Sequence, residues 1–124
     1  VNAPSLFQQV TSLCCDMTSD LKVYEENCRL LTSSLREMGY HVAQPGGAFY
    51  LFPEVSAYLG RRCGDRVITT DDDLAMYLLE EGHVATVSGS AFCMPGYIRL
   101  SYAASDDQLR EAFARIEKAL ARLV

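Results

Sequence analysis

Long stretches of this chain carry apolar residues on one helical face only, and this pattern constrains the fold more than any other feature. One stripe is formed by Leu21, Tyr24, Cys28, Leu31, Leu35 and Met38, and another by Leu109, Ala112, Phe113, Ile116, Leu120 and Leu123. A helix with one apolar face is stable only when another element covers that face. Short strand patterns between the stripes can supply the cover, so the sequence predicts helices packed on a small sheet.

Capping signals mark where these helices begin and end. Thr18-Ser19-Asp20 supplies capping oxygens for the helix over 21–38, and Gly39 supplies its C-terminal stop. Ser105 and Gln108 form a capping box for the last helix. The predicted helices cover 4–17, 21–38, 70–82 and 105–123. The first carries Leu6, Phe7, Val10, Leu13 and Cys14 at helical spacing, and the third turns Leu74, Ala75, Leu78 and Leu79 inward.

The predicted strands are short and separated by turn residues. They cover 41–43, 49–52, 84–87 and 96–103, with a turn at Pro45-Gly46-Gly47 between the first two. Residues 56–69 are predicted to form a surface excursion with a solvated basic cluster. The resulting order predicts one domain over residues 1–124, an α/β (α+β) two-layer sandwich in which helices cover a small, mostly antiparallel sheet.

The strand over 96–103 has an arginine in its middle. Ile98, Leu100 and Tyr102 share one face of this strand, and Tyr97, Arg99 and Ser101 share the other. The planar fork of an arginine makes two parallel charge-assisted hydrogen bonds to a carboxylate, so Arg99 is a candidate binding residue. The alternative is an arginine on the solvated face of an antiparallel sheet.

Three segments, read in order, resemble the C-terminal part of the class I and II aminotransferases, the fold-type-I enzymes that use pyridoxal phosphate. They are Gln44–Pro53 with its Pro-Gly-Gly-Ala-Phe-Tyr run, Val87–Pro95 with Gly-Ser-Ala-Phe, and Tyr97–Ala103 with Ile-Arg-Leu-Ser. The resemblance extends from about Asn2 to Leu123. It implies the fold of the aminotransferase small domain and the transfer of an amino group between an amino acid and a 2-oxo acid.

The resemblance also implies roles for two residues. Arg99 matches the arginine that binds the substrate α-carboxylate. Phe92 would form an apolar wall of the substrate pocket, although a core aromatic is an equal alternative at this position. The family often has glycine after this phenylalanine, where the chain has Cys93. Aspartate is the first candidate donor, and alanine, aromatic and prephenate-type donors stay open.

The chain has no lysine in a setting that suits the family's Schiff base. Lys22 lies among charges at a helix start and Lys118 on the polar face of another helix. With no initiator methionine at Val1, the sequence predicts a C-terminal domain without catalytic residues and inactive alone. Pyridoxal 5'-phosphate would be bound by the large domain of the same polypeptide, against which the helix within 1–17 would pack. The full-length protein would form a homodimer. The alternatives are a free-standing, non-catalytic module that binds small carboxylates and an interaction domain without a ligand.

Composition excludes several other classes of function. The formal net charge of −5 disfavours nucleic acid or an anionic membrane as a partner, and no apolar run approaches the ~20 residues of a membrane helix. Five cysteines match neither a disulfide framework nor zinc spacing, which favours buried or half-buried free thiols in a reducing, cytoplasmic compartment. Three consecutive aspartates, Asp71–Asp73, favour helix capping over a metal site because consecutive positions diverge around a helix.

Overall fold

Four helices and five short strands make up the computed structural model, which describes residues 3–17 and 21–124. The helices are α1 (Ser5–Leu13), α2 (Lys22–Glu37), α3 (Asp71–Gly82) and α4 (Asp106–Leu120). The strands are β1 (Tyr50–Leu51), β2 (Arg62–Cys63), β3 (Arg66–Val67), β4 (Val87–Ser88) and β5 (Ile98–Ser101). Single 3-10 turns occupy Ser56–Tyr58 and Gly89–Phe92.

The central sheet has the strand order β1-β5-β4, and both pairings are antiparallel. Leu51 lies opposite Leu100, and Val87 lies opposite Arg99. Helix α3 packs against β4 and α4, and α2 packs against α4. Strands β2 and β3 form a separate hairpin. The predicted fold class is confirmed as helices covering a small antiparallel sheet.

The core lies between the helices and the sheet. The predicted apolar face of β5 is buried, together with the inner faces of α2, α3 and α4. The core residues include Leu31, Leu35, Leu51, Leu74, Tyr77, Leu78, Ile98, Leu100, Tyr102, Leu109, Ile116 and Leu120. Buried polar groups tie the layers together. The side-chain amide of Asn27 donates to the carbonyls of Tyr102 and Ala104, and the Tyr77 hydroxyl donates to the Ala119 carbonyl.

The capping box predicted at the start of α4 and the helix stop predicted at Gly39 are confirmed. Thr70 and Asp73 make a reciprocal capping box at the start of α3, and Ser105 and Gln108 make another at the start of α4. Gly39 has φ +85° after α2, where a residue with a side chain would be strained. The predicted caps at Thr18-Ser19-Asp20 lie outside the described residues.

The strand predicted over 41–43 is wrong. Val42 forms only an isolated bridge to Pro53. Because proline has no amide hydrogen, the ladder cannot continue through that position. The other three predicted strands are present but shorter. The strand predicted over 84–87 differs most, because β4 begins only at Val87 and extends to Ser88.

Residues 56–69 are more ordered than the predicted surface excursion. They hold the β2–β3 hairpin, and Ile68 after it is fully buried. The basic residues differ in their surroundings: Arg61 and Arg62 are exposed, whereas Arg66 forms an ion pair with Glu80. Ile68 follows the exposed Val67, and the sequence alone does not show which of these two adjacent apolar residues is buried.

Helix α1 presents its apolar face to the surface. It ends at Leu13 and not near Met17, and none of its residues is buried. The exposed fractions of Leu6, Phe7 and Leu13 are 67%, 64% and 87%. Nothing in the described part of the chain covers this face. Leu79, predicted to face inward from α3, is also exposed.

Candidate functional site

The guanidinium of Arg99 lies between two aromatic rings. Its Cζ is 4.3 Å from the ring centroid of Tyr50 and 4.3 Å from that of Phe92. The β1–β5 register explains the first contact, because Tyr50 pairs with Ser101 and Arg99 shares the sheet face of Ser101. A cation this close to two ring centroids is held by cation–π attraction and restricted in its rotamers. These three residues, Arg99, Tyr50 and Phe92, are called the Arg99 site below.

No carboxylate of the described residues pairs with Arg99. The ion pairs in this part of the chain join other arginines to acids: Arg66 to Glu80, Arg110 to Asp106, Arg115 to Glu111 and Arg122 to Glu81. Arg99 is half-buried, and its guanidinium can only donate hydrogen bonds. Its hydrogen-bond donors are therefore available for an anion from outside the described residues.

Phe92 closes one side of the site from a short turn. This turn, Gly89–Phe92, follows β4, and the rings of Phe92 and Phe52 form a T-shaped pair with centroids 5.7 Å apart. Phe92 is 42% exposed, so the alternative of a core aromatic is wrong. Its role as a wall of a substrate pocket stays a prediction.

Cys93 ends this turn in the left-handed region, with φ 59° and ψ 27°. A residue with a side chain adopts that conformation at a cost that glycine does not have. The backbone at Cys93 therefore has the form that a glycine would favour. Cys93 donates its amide hydrogen to the Ser90 carbonyl.

Asp71 anchors the same turn from the start of α3. Its carboxylate, only 2% exposed, accepts hydrogen bonds from the Ser90 amide at 2.7 Å and the Ser90 hydroxyl at 2.8 Å. Burial alone would raise the pKa of Asp71. The hydrogen bonds from Ser90 and from the backbone of Asp71 and Gly96 outweigh burial, so the pKa is lowered from its ordinary value.

Sequence reasoning identified Arg99 and Phe92 but missed Tyr50 and this role of Asp71. No pattern of charge or polarity in the sequence marks Tyr50, and only the strand register places it beside Arg99. The three aspartates were all read as helix caps, whereas Asp73 alone completes the capping box and Asp71 points to Ser90. In the described part of the chain, no three His, Cys, Asp or Glu side chains are grouped so that they could hold a metal ion.

Two surface grooves lie away from the Arg99 site. One, of about 500 Å³, runs between α2 and α4, and the other, of about 860 Å³, lies between α2 and residues 44–49. Arg99 lines neither of them. Neither groove therefore belongs to the Arg99 site.

Neither lysine fits a covalent bond to an aldehyde cofactor. Lys22 and Lys118 are both exposed on helix surfaces, outside the apolar pocket that a Schiff-base lysine needs. That this chain alone forms no Schiff base with pyridoxal phosphate stays a prediction.

All five cysteines are free thiols, of which only Cys28 is buried and Cys63 half-buried. The expectation of buried or half-buried thiols is therefore wrong for Cys14, Cys15 and Cys93, which are exposed. Among the helices formed by the described residues, none has the length and apolar character needed to cross a bilayer.

Known proteins of similar sequence are aminotransferases. Residues 2–116 match the family model described as aminotransferase class I and II. A probable aspartate/prephenate aminotransferase of Aquifex aeolicus is 49% identical over 82 residues, which are 66% of this chain and 19% of that protein. An aspartate aminotransferase of Pinus pinaster is 44% identical over 102 residues, or 81% of this chain and 21% of that protein.

A solved structure of similar fold is the aspartate aminotransferase from Rhizobium meliloti. It superposes with a TM-score of 0.87 at 34% identity, covering 100% of this chain and 33% of that one. The chain thus spans about a fifth to a third of the length of the relatives it matches. On the family match and these identities, the chain belongs to the class I and II aminotransferases.

Proposed function

We propose that this chain is the C-terminal small domain of a pyridoxal-phosphate-dependent aminotransferase and that Arg99 binds the α-carboxylate of its substrates. The observation that carries the proposal is the position of Arg99 between two rings, with no carboxylate of the described residues paired to it. Aspartate is the first donor to test, because several relatives are named aspartate aminotransferases.

The carboxylate is the one charged group that every amino acid and every 2-oxo acid shares. A guanidinium fork meets it with two parallel bonds, each contributing roughly 1.5–3 kcal/mol. The Tyr50 and Phe92 rings restrict the fork before the substrate arrives, so less rotamer entropy is lost on binding. Fixing the carboxylate at one point also orients the neighbouring Cα–H bond, which contributes more to the rate than affinity alone.

The cofactor and the lysine that holds it belong, in this proposal, to the large domain of the same polypeptide. The support is the exposure of both lysines here and the fraction of the relatives' length that the chain spans. This chain would then bind and orient the substrate, and close over it, while the covalent chemistry takes place on residues outside it.

The complete protein is expected to transfer the amino group of aspartate to a 2-oxo acid, and the 124-residue chain alone is expected not to. Incubation with pyridoxal phosphate, borohydride reduction and intact-mass measurement test both proteins. The chain alone should show no stoichiometric label on Lys22 or Lys118, whereas the complete protein should be labelled outside this chain. Specific labelling of one of these two lysines would overturn the proposal, and transfer by the complete protein would exclude the non-catalytic binding module.

The exposed face of α1 is proposed to pack on that large domain in the complete protein, which would form a homodimer. The isolated chain is then expected to self-associate through Leu6, Phe7 and Val10, since monomeric proteins rarely expose a contiguous apolar patch. Sedimentation measures this, with Phe7→Lys as the variant that should restore a monomer. Ser12→Lys, which adds the same charge on the opposite side of α1, should leave the association unchanged. A wild-type chain that stays monomeric at all concentrations would contradict the expectation.

A further inference from the structure

A buried carboxylate holds the turn that carries Phe92. Asp71 is the first residue of α3, and the turn follows β4, so the two meet only in the folded chain. Both Ser90 donors reach Asp71, the amide to one oxygen and the hydroxyl to the other. Because both oxygens are engaged, the carboxylate fixes the orientation of the turn as well as its distance from α3.

Further contacts of this turn connect its position to that of Arg99. The amide of Gly89 donates to the Tyr97 carbonyl at 2.7 Å, and Met94 donates to the Gly89 carbonyl at 2.9 Å. The Phe92 ring, two residues after Ser90, then lies 4.3 Å from the Arg99 Cζ. A displacement of Ser90 would therefore move one of the two rings that restrict the guanidinium.

We propose that Asp71 is a positioning residue, which holds the Gly89–Phe92 turn so that Phe92 and Arg99 meet the substrate carboxylate in one geometry. The inference rests on the proposed function, since it assigns Asp71 to the same site. Helix capping does not account for the interaction, because Thr70 and Asp73 already form the capping box. An asparagine at position 71 would keep one acceptor for the Ser90 amide and could donate its NH₂ to the Ser90 hydroxyl oxygen, but neither bond would be charge-assisted, so the hold on the turn would be weaker.

The test compares Asp71→Asn with Asp72→Asn in the complete protein. Asp72 is exposed in the same first turn of α3, so its variant reproduces the loss of charge near the helix N-terminus without touching Ser90. We expect Asp71→Asn to lower kcat/KM by roughly 10- to 100-fold, with KM rising more than kcat falls, for aspartate and for one dissimilar amino acid. A loss of folded protein alone would lower apparent kcat and leave KM unchanged.

Hydrogen exchange gives a second readout that needs no activity. Peptides covering residues 89–97 should exchange faster in Asp71→Asn and at the wild-type rate in Asp72→Asn. Should Asp71→Asn fail to fold, Ser90→Ala removes only the hydroxyl bond and should give a smaller change in both readouts. Unchanged exchange in these peptides, or a KM equal to that of Asp72→Asn, overturns the inference.

Arg99→Lys, measured in parallel, separates the two proposals. If this variant keeps the wild-type kcat/KM, the proposed function fails, and the assignment of Asp71 fails with it. If Arg99→Lys loses activity while Asp71→Asn behaves as Asp72→Asn does, only the assignment of Asp71 fails.

Discussion

Replacing Arg99 by lysine in the complete protein is expected to lower kcat/KM by roughly 30- to 5000-fold, which corresponds to about 2–5 kcal/mol. An ammonium is a point charge and cannot make the two parallel bonds of a guanidinium fork. A substrate carboxylate would then be poorly paired inside a closed site. The loss should be similar for two dissimilar amino acids, because both present the same α-carboxylate.

The melting temperature should change little in this variant. Arg99 lies on the face of β5 opposite the buried Ile98 and Leu100, so the core is not altered. Arg62→Lys is the matched control, since Arg62 is exposed in the β2–β3 hairpin and should keep full activity. If Arg99→Lys unfolds but keeps its turnover per folded molecule, the alternative holds, in which Arg99 is an arginine on a solvated face of the sheet.

Replacing Gly89 by alanine is expected to destabilise the protein by about 3 kcal/mol or more. An added Cβ would lie 2.1 Å from the Met94 carbonyl oxygen, 2.8 Å from the Tyr97 carbonyl oxygen and 2.9 Å from the Tyr97 Cβ. Two of these atoms belong to the backbone and cannot move aside as a side-chain end can. Relieving this clash would require opening the turn and disrupting the Gly89–Tyr97 hydrogen bond. Denaturant unfolding should therefore show a lower free energy of unfolding for Gly89→Ala.

Gly46→Ala is the matched control for this substitution. An added Cβ at Gly46 meets nothing within 4 Å, and neither Gly46 nor Gly89 is among the glycines with positive φ. The two positions therefore differ in the room around an added Cβ and not in the sign of φ. Gly46→Ala should change the free energy of unfolding by less than about 1 kcal/mol. Equal stability of the two variants would show that the turn at Gly89 is not packed as described.

The helices and the faces of β5 were predictable because their signals are local. The capping boxes at Thr70 and Ser105 lie within four residues of sequence, and the alternation of Ile98, Arg99 and Leu100 follows from the pleat of a strand. The strand pattern alone made Arg99 only a candidate, with an arginine on a solvated face as the alternative, and its assignment to the substrate carboxylate came from the resemblance to the aminotransferases.

The partners of Arg99 were not predictable in this way, because they depend on register and on contacts distant in sequence. Tyr50 reaches Arg99 only through the pairing of β1 with β5, and a shift of one residue would turn it to the other face. Asp71 and Ser90 are 19 residues apart, beyond any helical or strand period. Pro53 likewise limits the pairing of residues 41–43 to a single bridge, and the pattern of those three residues does not show this.

The central claim is that Arg99 receives the substrate α-carboxylate, and a crystal structure of the complete protein with a bound amino-acid substrate or analogue tests it most directly. The account predicts both carboxylate oxygens within hydrogen-bonding distance of the Arg99 guanidinium, with the Tyr50 and Phe92 rings still on either side of it. A bound substrate whose α-carboxylate is held by other residues, with Arg99 unengaged, would contradict it.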